Sequence, residues 1–370
     1  MNTATTIPPK FAFRKQADFY STLRNRINAY FTDNNISKTG NVHLYTKSVV
    51  LLSLYIIPFV LVFALGLSSM WTIAAFAVMG IGMSGIGFSI MHDANHGSYS
   101  DLPWLNKLMS YTINIIGGNS VSWKIQHNVL HHTYTNVHGH DEDIEDKPIL
   151  RLSPEGKLYW IHRFQQYYAI FLYGLSTVSW ATTKDLKQIR AYDKEGLLDK
   201  VGATAGWVYV DILVSKMLYF AVFFGVPYLF GTLPFTVYLA GFFVMHFIAG
   251  VITTVVFQLA HVVEHTDYFQ PDETNTLENS WAVHQLMTTC NFARKNRVLS
   301  WFVGGLNYQI EHHLFTNISH VHYKNIAPIV KETAEEFEIP YNEFDTFSQA
   351  VRSHWQMLGQ LGKNEIVSIV

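Results

Sequence analysis

Residues 48–92 contain no Asp, Glu, Lys or Arg, and neither do residues 217–263. A bilayer-crossing helix needs about 20 apolar residues, so each run is long enough for two crossings joined by a tight turn. The first run is expected to span from about Ser48 to Leu67, turn at Ser68-Ser69 and return over about 70–91. The second is expected to span about 217–231, turn near Gly231-Thr232-Leu233-Pro234 and return over about 235–258. Both turns are uncharged, whereas Lys38, Lys47, Lys184, Lys187, Arg190, Lys194, Lys200, Arg294, Lys295 and Arg297 all fall at the opposite ends of the spans. An excess of Lys and Arg marks the cytoplasmic side. Composition agrees: 49% of residues are hydrophobic and 15% charged, against roughly 25% charged in an average soluble domain. The alternative, buried hairpins of a large soluble α-protein, is at odds with two uncharged runs of this length.

The expected fold is therefore an all-α integral membrane protein with four transmembrane helices in two hairpins and a cytoplasmic helical cap. A cytoplasmic N-terminal segment (1–47) and C-terminal segment (331–370) would flank the main unit (48–330). A third uncharged stretch, 164–183, carries Gln165, Gln166, Ser176, Thr177 and Ser179. A crossing there would put the histidines before and after it on opposite faces. Like 108–123, it reads as an interfacial or membrane-dipping helix. Residues 1–45 are polar and mixed, without the apolar core of a signal peptide. Gly80, Gly82 and Gly85 match the dinucleotide pattern GxGxxG, but inside an uncharged helix with no preceding strand. Small residues easing close helix packing explain them better.

Eighteen histidines stand beside a single cysteine, Cys290. One cysteine excludes a disulfide framework, an iron–sulfur cluster and a cysteine-built zinc site. The net charge of −2 gives no reason to expect nucleic acid. The histidines concentrate in three boxes at span ends: His92 and His96; His127, His131 and His132; and His312 and His313 after Gln309. Residues four apart on a helix share a face and can converge on one metal. An adjacent residue is turned by about 100°, so His131 and His132 do not easily serve the same ion. Paired histidines in separate clusters point to two metals, each fed from several helices. Imidazole suits zinc, copper, nickel and iron alike, and the Glu-x-x-His pairs of soluble di-iron bundles are missing.

His261 closes the fourth span and reaches the same face as a further ligand candidate. His265, four residues on, could join it or be paired with Glu264, and His284 is undetermined. His246 falls mid-span, where a polar ring needs a partner, and reads as a satisfied core histidine. His138 and His140, beside Asp141, Glu142 and Asp143, look like outer neighbours of the site or solvated groups. His43, His162, His320, His322 and His354 read as ordinary.

At 92–98 (HDANHGS), 127–143 (HNVLHHTYTNVHGHDED) and 307–315 (NYQIEHHLF) the chain resembles the membrane-bound fatty-acid desaturases. The resemblance runs from about Val49 to Tyr341, and Gln309 opening the third box is similar to the front-end, Δ6 (linoleoyl-CoA type) branch. It implies four spans with the boxes on the cytoplasmic side and two iron ions. These would use O2 and two electrons to remove two hydrogens from an acyl chain as a cis double bond. The iron ligands implied are His92, His96, His127, His131, His132, His312 and His313. Stearoyl-type members have histidine where Gln309 stands, and His261 matches the position that would compensate. Thr316 replaces a proline common after this box. No HPGG haem motif appears and there is no room for a fused cytochrome b5 domain. Electrons are therefore expected from a separate donor such as cytochrome b5 or ferredoxin. The acyl substrate would be CoA- or lipid-linked, with membrane lipid as surroundings.

Chemistry agrees with this. An unactivated methylene offers no acidic proton, so a cofactor must do the work. Asp93, Asp141, Asp143 and Glu311 could orient the rings from behind. Trp123, Trp180 and the aromatic stretch 164–173 could line an apolar tunnel. Other readings are a histidine-rich di-iron hydroxylase or ketolase, a metal-binding membrane transporter, and a bis-histidine haem protein. A zinc protease built on HDANH lacks the glutamate of HExxH.

Overall fold

In the computed structural model, residues 8–12, 17–145 and 147–369 are described. Of the three expected segments, residues 1–7 and 13–16 of the first, 146 of the second and 370 of the third lie outside the described residues. The chain is mostly helical. Among the described residues, four helices are long and apolar enough to cross a membrane: Val42–Ala64 (α2), Ser69–Asn95 (α3), Ala205–Phe230 (α7) and Phe235–His261 (α8). The remaining elements that build the site are α1 (Ala17–Asp33), α4 (residues 120–134), α5 (Gln165–Gly174) and α6 (residues 176–194). They are followed by α9 (Trp281–Met287), α10 (Gln309–Leu314), α11 (Tyr323–Glu336) and α12 (Phe347–Lys363).

Helix α3 is the central post, with 67% of its apolar window buried against 28% for α2. It packs against α2 and, more extensively, against α8. The glycines that mimic a nucleotide fingerprint make this possible. A Cβ on Gly80 would lie 2.6 Å from the Met245 carbonyl of α8, and one on Gly82 would lie 2.8 Å from the Tyr55 amide of α2. Both backbones approach too closely for any side chain, as small residues at apolar helix interfaces allow.

Three span boundaries differ from expectation, the first being the start of α2 at Val42, six residues before Ser48. Helix α3 continues through the first box to Asn95, so the box sits on the last turn of the span instead of beyond it. Helix α7 begins at Ala205, well before 217. Lys216 had seemed to mark its end. Its ammonium is neutralised in place, donating to Asp185 Oδ2 at 2.8 Å and to the carbonyls of Trp180 (2.6 Å) and Gly117 (3.2 Å). A buried charge is tolerated when it is paired and fully hydrogen-bonded. The stretch 164–183 forms no long helix. It is divided between α5 and α6 by a break at Gly174-Leu175, and both pieces pack against α8.

The flanking segments fold onto the body. Helix α1 lies along α11, where Arg26 grips Glu336 with two hydrogen bonds of 2.8 and 2.7 Å. Helix α12 packs against α5 and α8. Two short parallel pairings, Lys10–Phe11 with Thr276–Leu277 and Asn291–Phe292 with Glu343–Phe344, tie down the loops between.

Candidate metal centre

Four helices, α3, α4, α8 and α10, carry the histidines to one place. In α3 the backbone winds as a π-helix over Ile86–Met91, directly before His92. In α4 it does so again over Lys124–His131, the segment holding His127 and His131. Such wide turns inside α-helices recur at functional sites because they re-aim side chains. The third box is delivered by Gly304 and Gly305, both left-handed (φ 62° and 66°). A Cβ on Gly304 would collide with the Phe88 carbonyl in the wide turn of α3. Only glycine combines this backbone conformation with this approach.

The result is a cluster of imidazoles with ring centroids 4.4–5.7 Å apart between neighbours, from His132–His313 at the short end to His127–His312 at the long end. His92, His96, His127 and His312 form one group in which each offers a nitrogen within 4.8 Å of the others. His131, His261 and His313 form a second such group, and His132 joins His312 and His313 in a third. His131 and His132 never share a group, as their rotation about the helix requires. The rings of His92, His312 and His313 are fully buried. Trp123 covers the first group, stacked on His127 at 4.3 Å.

Most of the rings are held from behind by one nitrogen. His131 Nδ1 donates to the Asp141 carboxylate at 3.1 Å and lies 3.4 Å from Asp143. His261 Nδ1 donates to the Thr288 carbonyl at 3.1 Å, and His313 Nδ1 to Gln285 Oε1 at 2.8 Å. His312 Nδ1 lies 3.1 Å from the Tyr323 hydroxyl. The front nitrogens have no hydrogen-bond partner among the described residues: Nε2 of His96, His131, His261, His312 and His313, Nδ1 of His132, and both nitrogens of His92, whose Nδ1 lies 3.9 Å from Asp93. His127 Nε2 and His132 Nε2 face each other at 3.0 Å. Burial and the neighbouring imidazoles hold His127, His132, His312 and His313 well below the usual imidazole range, which keeps them neutral. His131 is the exception. Burial pulls it down, but the Asp141 and Asp143 carboxylates outweigh that and raise it to about 9.

Several expectations need correction. Asp93 has its short contacts elsewhere: Oδ1 lies 3.9 Å from His92 Nδ1, while Oδ2 accepts from Ser319 Oγ at 2.6 Å and His320 Nδ1 at 2.9 Å. Glu311 points away from the cluster, accepting from the Tyr341 hydroxyl (2.7 Å) and Asn291 (2.9 Å). His320 is not an ordinary surface residue but a buried link between Asp93 and Lys47. His265 is exposed and stacks on Phe344, apart from the cluster. His284 bonds the Thr135 carbonyl at 2.8 Å behind the second group. His246 is held at both nitrogens, by Tyr219 (2.8 Å) and Thr177 (3.0 Å). Gln285, Thr288 and Tyr323, which brace three of the rings, lie in no motif of their own; only the structure shows them.

Beside His127 and Trp123 opens a cavity of about 440 Å³. Its walls include Leu150, Leu152, Leu172, Tyr173, Trp180 and Phe257, with Lys147 and Lys184 also lining it. Trp123, Trp180 and part of the 164–173 stretch thus line a largely apolar hollow that reaches the histidines.

A helical membrane scaffold around a buried histidine cluster defines a class, and comparison with known proteins names it. The fatty acid desaturase family model matches residues 68–345. The sn-1 linoleoyl-lipid 6-desaturase of Arthrospira platensis is 36% identical over 364 residues, covering 97% of both chains. The enzyme of the same name from Synechocystis sp. is 32% identical, covering 96% of this chain and 98% of its own. The acyl-lipid (8-3)-desaturase of Physcomitrium patens is 32% identical over 96% of this chain and 74% of its own. The chain belongs to the fatty acid desaturase family and is an oxidoreductase of that class, similar to its front-end members.

Proposed function

We propose that the protein is an O2-dependent di-iron desaturase that places a cis double bond in a lipid-linked fatty acyl chain. The observation that carries this is the set of buried imidazole nitrogens left without a protein partner and facing one another. A neutral nitrogen buried without a hydrogen bond is costly, and two Nε2 atoms 3.0 Å apart repel unless a cation or proton lies between or beside them. The donor set fits two iron ions. His92, His96, His127 and His312 would hold one, His131, His261 and His313 the other, and His132 completes the set between them.

Bound iron supplies the oxidising power to break unactivated C–H bonds when O2 is present. The overall balance is R–CH2–CH2–R′ + O2 + 2 e⁻ + 2 H⁺ → R–CH=CH–R′ + 2 H2O, so O2 takes two electrons from the substrate and two from an outside donor. The chain's own residues supply the rest. Asp141, Thr288, Gln285 and Tyr323 fix ring orientation from behind, as outer partners of metal-bound histidines do. Trp123 and Phe257 close the cavity beside His127 to water, and the apolar wall there takes the acyl chain. A few hundred Å³ is the ordinary size of a ligand pocket. Lipid-linked substrate follows the relatives from Arthrospira platensis and Synechocystis sp., whose names specify a linoleoyl lipid.

In the membrane, α2 with α3 and α7 with α8 are two hairpins whose uncharged turns face away from the cytoplasm. The boxes and the helical cap lie on the cytoplasmic side, where the Lys and Arg residues collect. The catalytic unit is 48–330, with 1–47 and 331–370 as cytoplasmic flanking segments. Expression in a desaturase-deficient host followed by mass spectrometry of its lipids tests the reaction. A product lighter by two hydrogens is expected; a product heavier by one oxygen would identify a hydroxylase instead.

A further inference from the structure

The proposed reaction takes two electrons from an outside donor, and the one thiol of the chain, Cys290, is buried. A hollow of about 800 Å³ lies away from the acyl cavity and shares no lining residue with it. Six cationic side chains line it, Lys47, Arg294, Lys295, Arg297, Lys324 and Lys331, against the carboxylates of Glu343 and Asp345. That is a local surplus of positive charge in a chain whose net charge is −2. Of the cations that converge, Arg294 and Lys331 share the single carboxylate of Glu343, and Lys295 lies 3.4 Å from Asp345. Arg297 and Lys324 are exposed on separate elements, with no carboxylate partner among the described residues. A single phosphate wants cations converging on one point. Spread, uncompensated charge suits a broad acidic protein face, attracted over distance and steered into place.

The hollow also connects to the candidate metal centre through a short chain of contacts. His320 and Lys47 line it. Lys47 Nζ is 3.0 Å from His320 Nε2, His320 Nδ1 is 2.9 Å from Asp93 Oδ2, and Asp93 is the chain neighbour of His92. On a second side Tyr308 lines the hollow and directly precedes α10, which carries His312 and His313. Substrate enters beside His127, while this hollow backs onto His92, so both can be occupied at once.

We propose that this hollow docks an acidic one-electron carrier protein. The carrier's role rests on the desaturase reading: two reduced carriers each give up one electron per double bond formed, and the oxidised carrier leaves between them.

The test is direct binding, so it does not depend on turnover. The full chain is held in phosphatidylcholine nanodiscs, with plant-type [2Fe–2S] ferredoxin and the soluble domain of cytochrome b5 as probes. Saturable binding of at least one probe is expected, weakening as ionic strength rises past about 0.1 M. The double charge reversal Arg297→Glu/Lys324→Glu alters two exposed side chains, and unchanged metal content and melting temperature will show that it folds. It is expected to raise the dissociation constant about tenfold or more. Failure of both probes to bind, or binding untouched by the charge reversal, overturns the proposal. So does capture of phosphatidylglycerol vesicles, lost in the variant, with neither carrier bound; that result would make the hollow a lipid-headgroup site. Carrier binding without any desaturated product would instead count against the desaturase reading and leave the docking site standing.

Discussion

His131, His261, His312 and His313 each spend one ring nitrogen on the protein and keep the other unpartnered among the remaining imidazoles. That division, together with a place inside the cluster, sets the expected outcomes of single changes. His131→Ala or His312→Ala is expected to strip metal and abolish activity while the helices persist, as circular dichroism and metal analysis can check. His246→Ala and His265→Ala are expected to keep their metal, because one ring is satisfied by Tyr219 and Thr177 and the other lies outside the cluster. Asp141→Asn keeps the shape behind His131 but loses the charge. It is expected to weaken metal affinity by about 10- to 100-fold, read in a chelator competition. The box histidines were legible in the sequence because their spacing is unusual and their surroundings apolar. Of their supports, Asp141 and Asp143 behind His131 were legible beside the second box, and the others were not. Gln285, Thr288 and Tyr323 come from elements that meet the boxes only in three dimensions, and Asp93, which stands in the first box, serves the later loop through Ser319 and His320.

At the scale of elements, charge-free runs located all four long helices, since a lipid-facing helix cannot carry unpaired charge. The same rule misplaced the start of α7, because Lys216 is paired with Asp185 from a distant segment. The wide turns at Ile86–Met91 and Lys124–His131 left no trace in the hydrophobic pattern. Within uniformly apolar or histidine-rich stretches, neither winding has a periodicity to distinguish it. Gly304 is the most sensitive position between elements. Gly304→Ala forces a Cβ into left-handed backbone and against the Phe88 carbonyl. It is expected to cost about 1–3 kcal/mol in stability and to lower metal content, since the third box loses its register on α3. An unchanged melting temperature would show that the turn can relax elsewhere.

For the whole molecule, the arrangement in the membrane can be tested with the chain's single cysteine removed. In a Cys290→Ala background, Thr232→Cys is expected to react with a membrane-impermeant thiol reagent from outside, and Lys324→Cys only after the membrane is opened. The reverse pattern would invert the topology proposed from the Lys and Arg distribution. The flanking segments show what the sequence left unread at this scale. Nothing in 1–47 or 331–370 announces that α1 and α11 clasp through Arg26 and Glu336, or that α12 lies on α5 and α8. The first contact joins residues 310 positions apart and the others lie roughly one to two hundred apart, and amphipathic helices do not name their partners.

The most direct measurement is the metal content of the purified, full-length protein, by elemental analysis together with Mössbauer spectroscopy of an iron-57-grown sample. Two irons per chain in nitrogen-rich, cysteine-free surroundings, both lost in His131→Ala, is the expected result. Zinc in place of iron, or no more than one iron per chain with full desaturase activity, would contradict it.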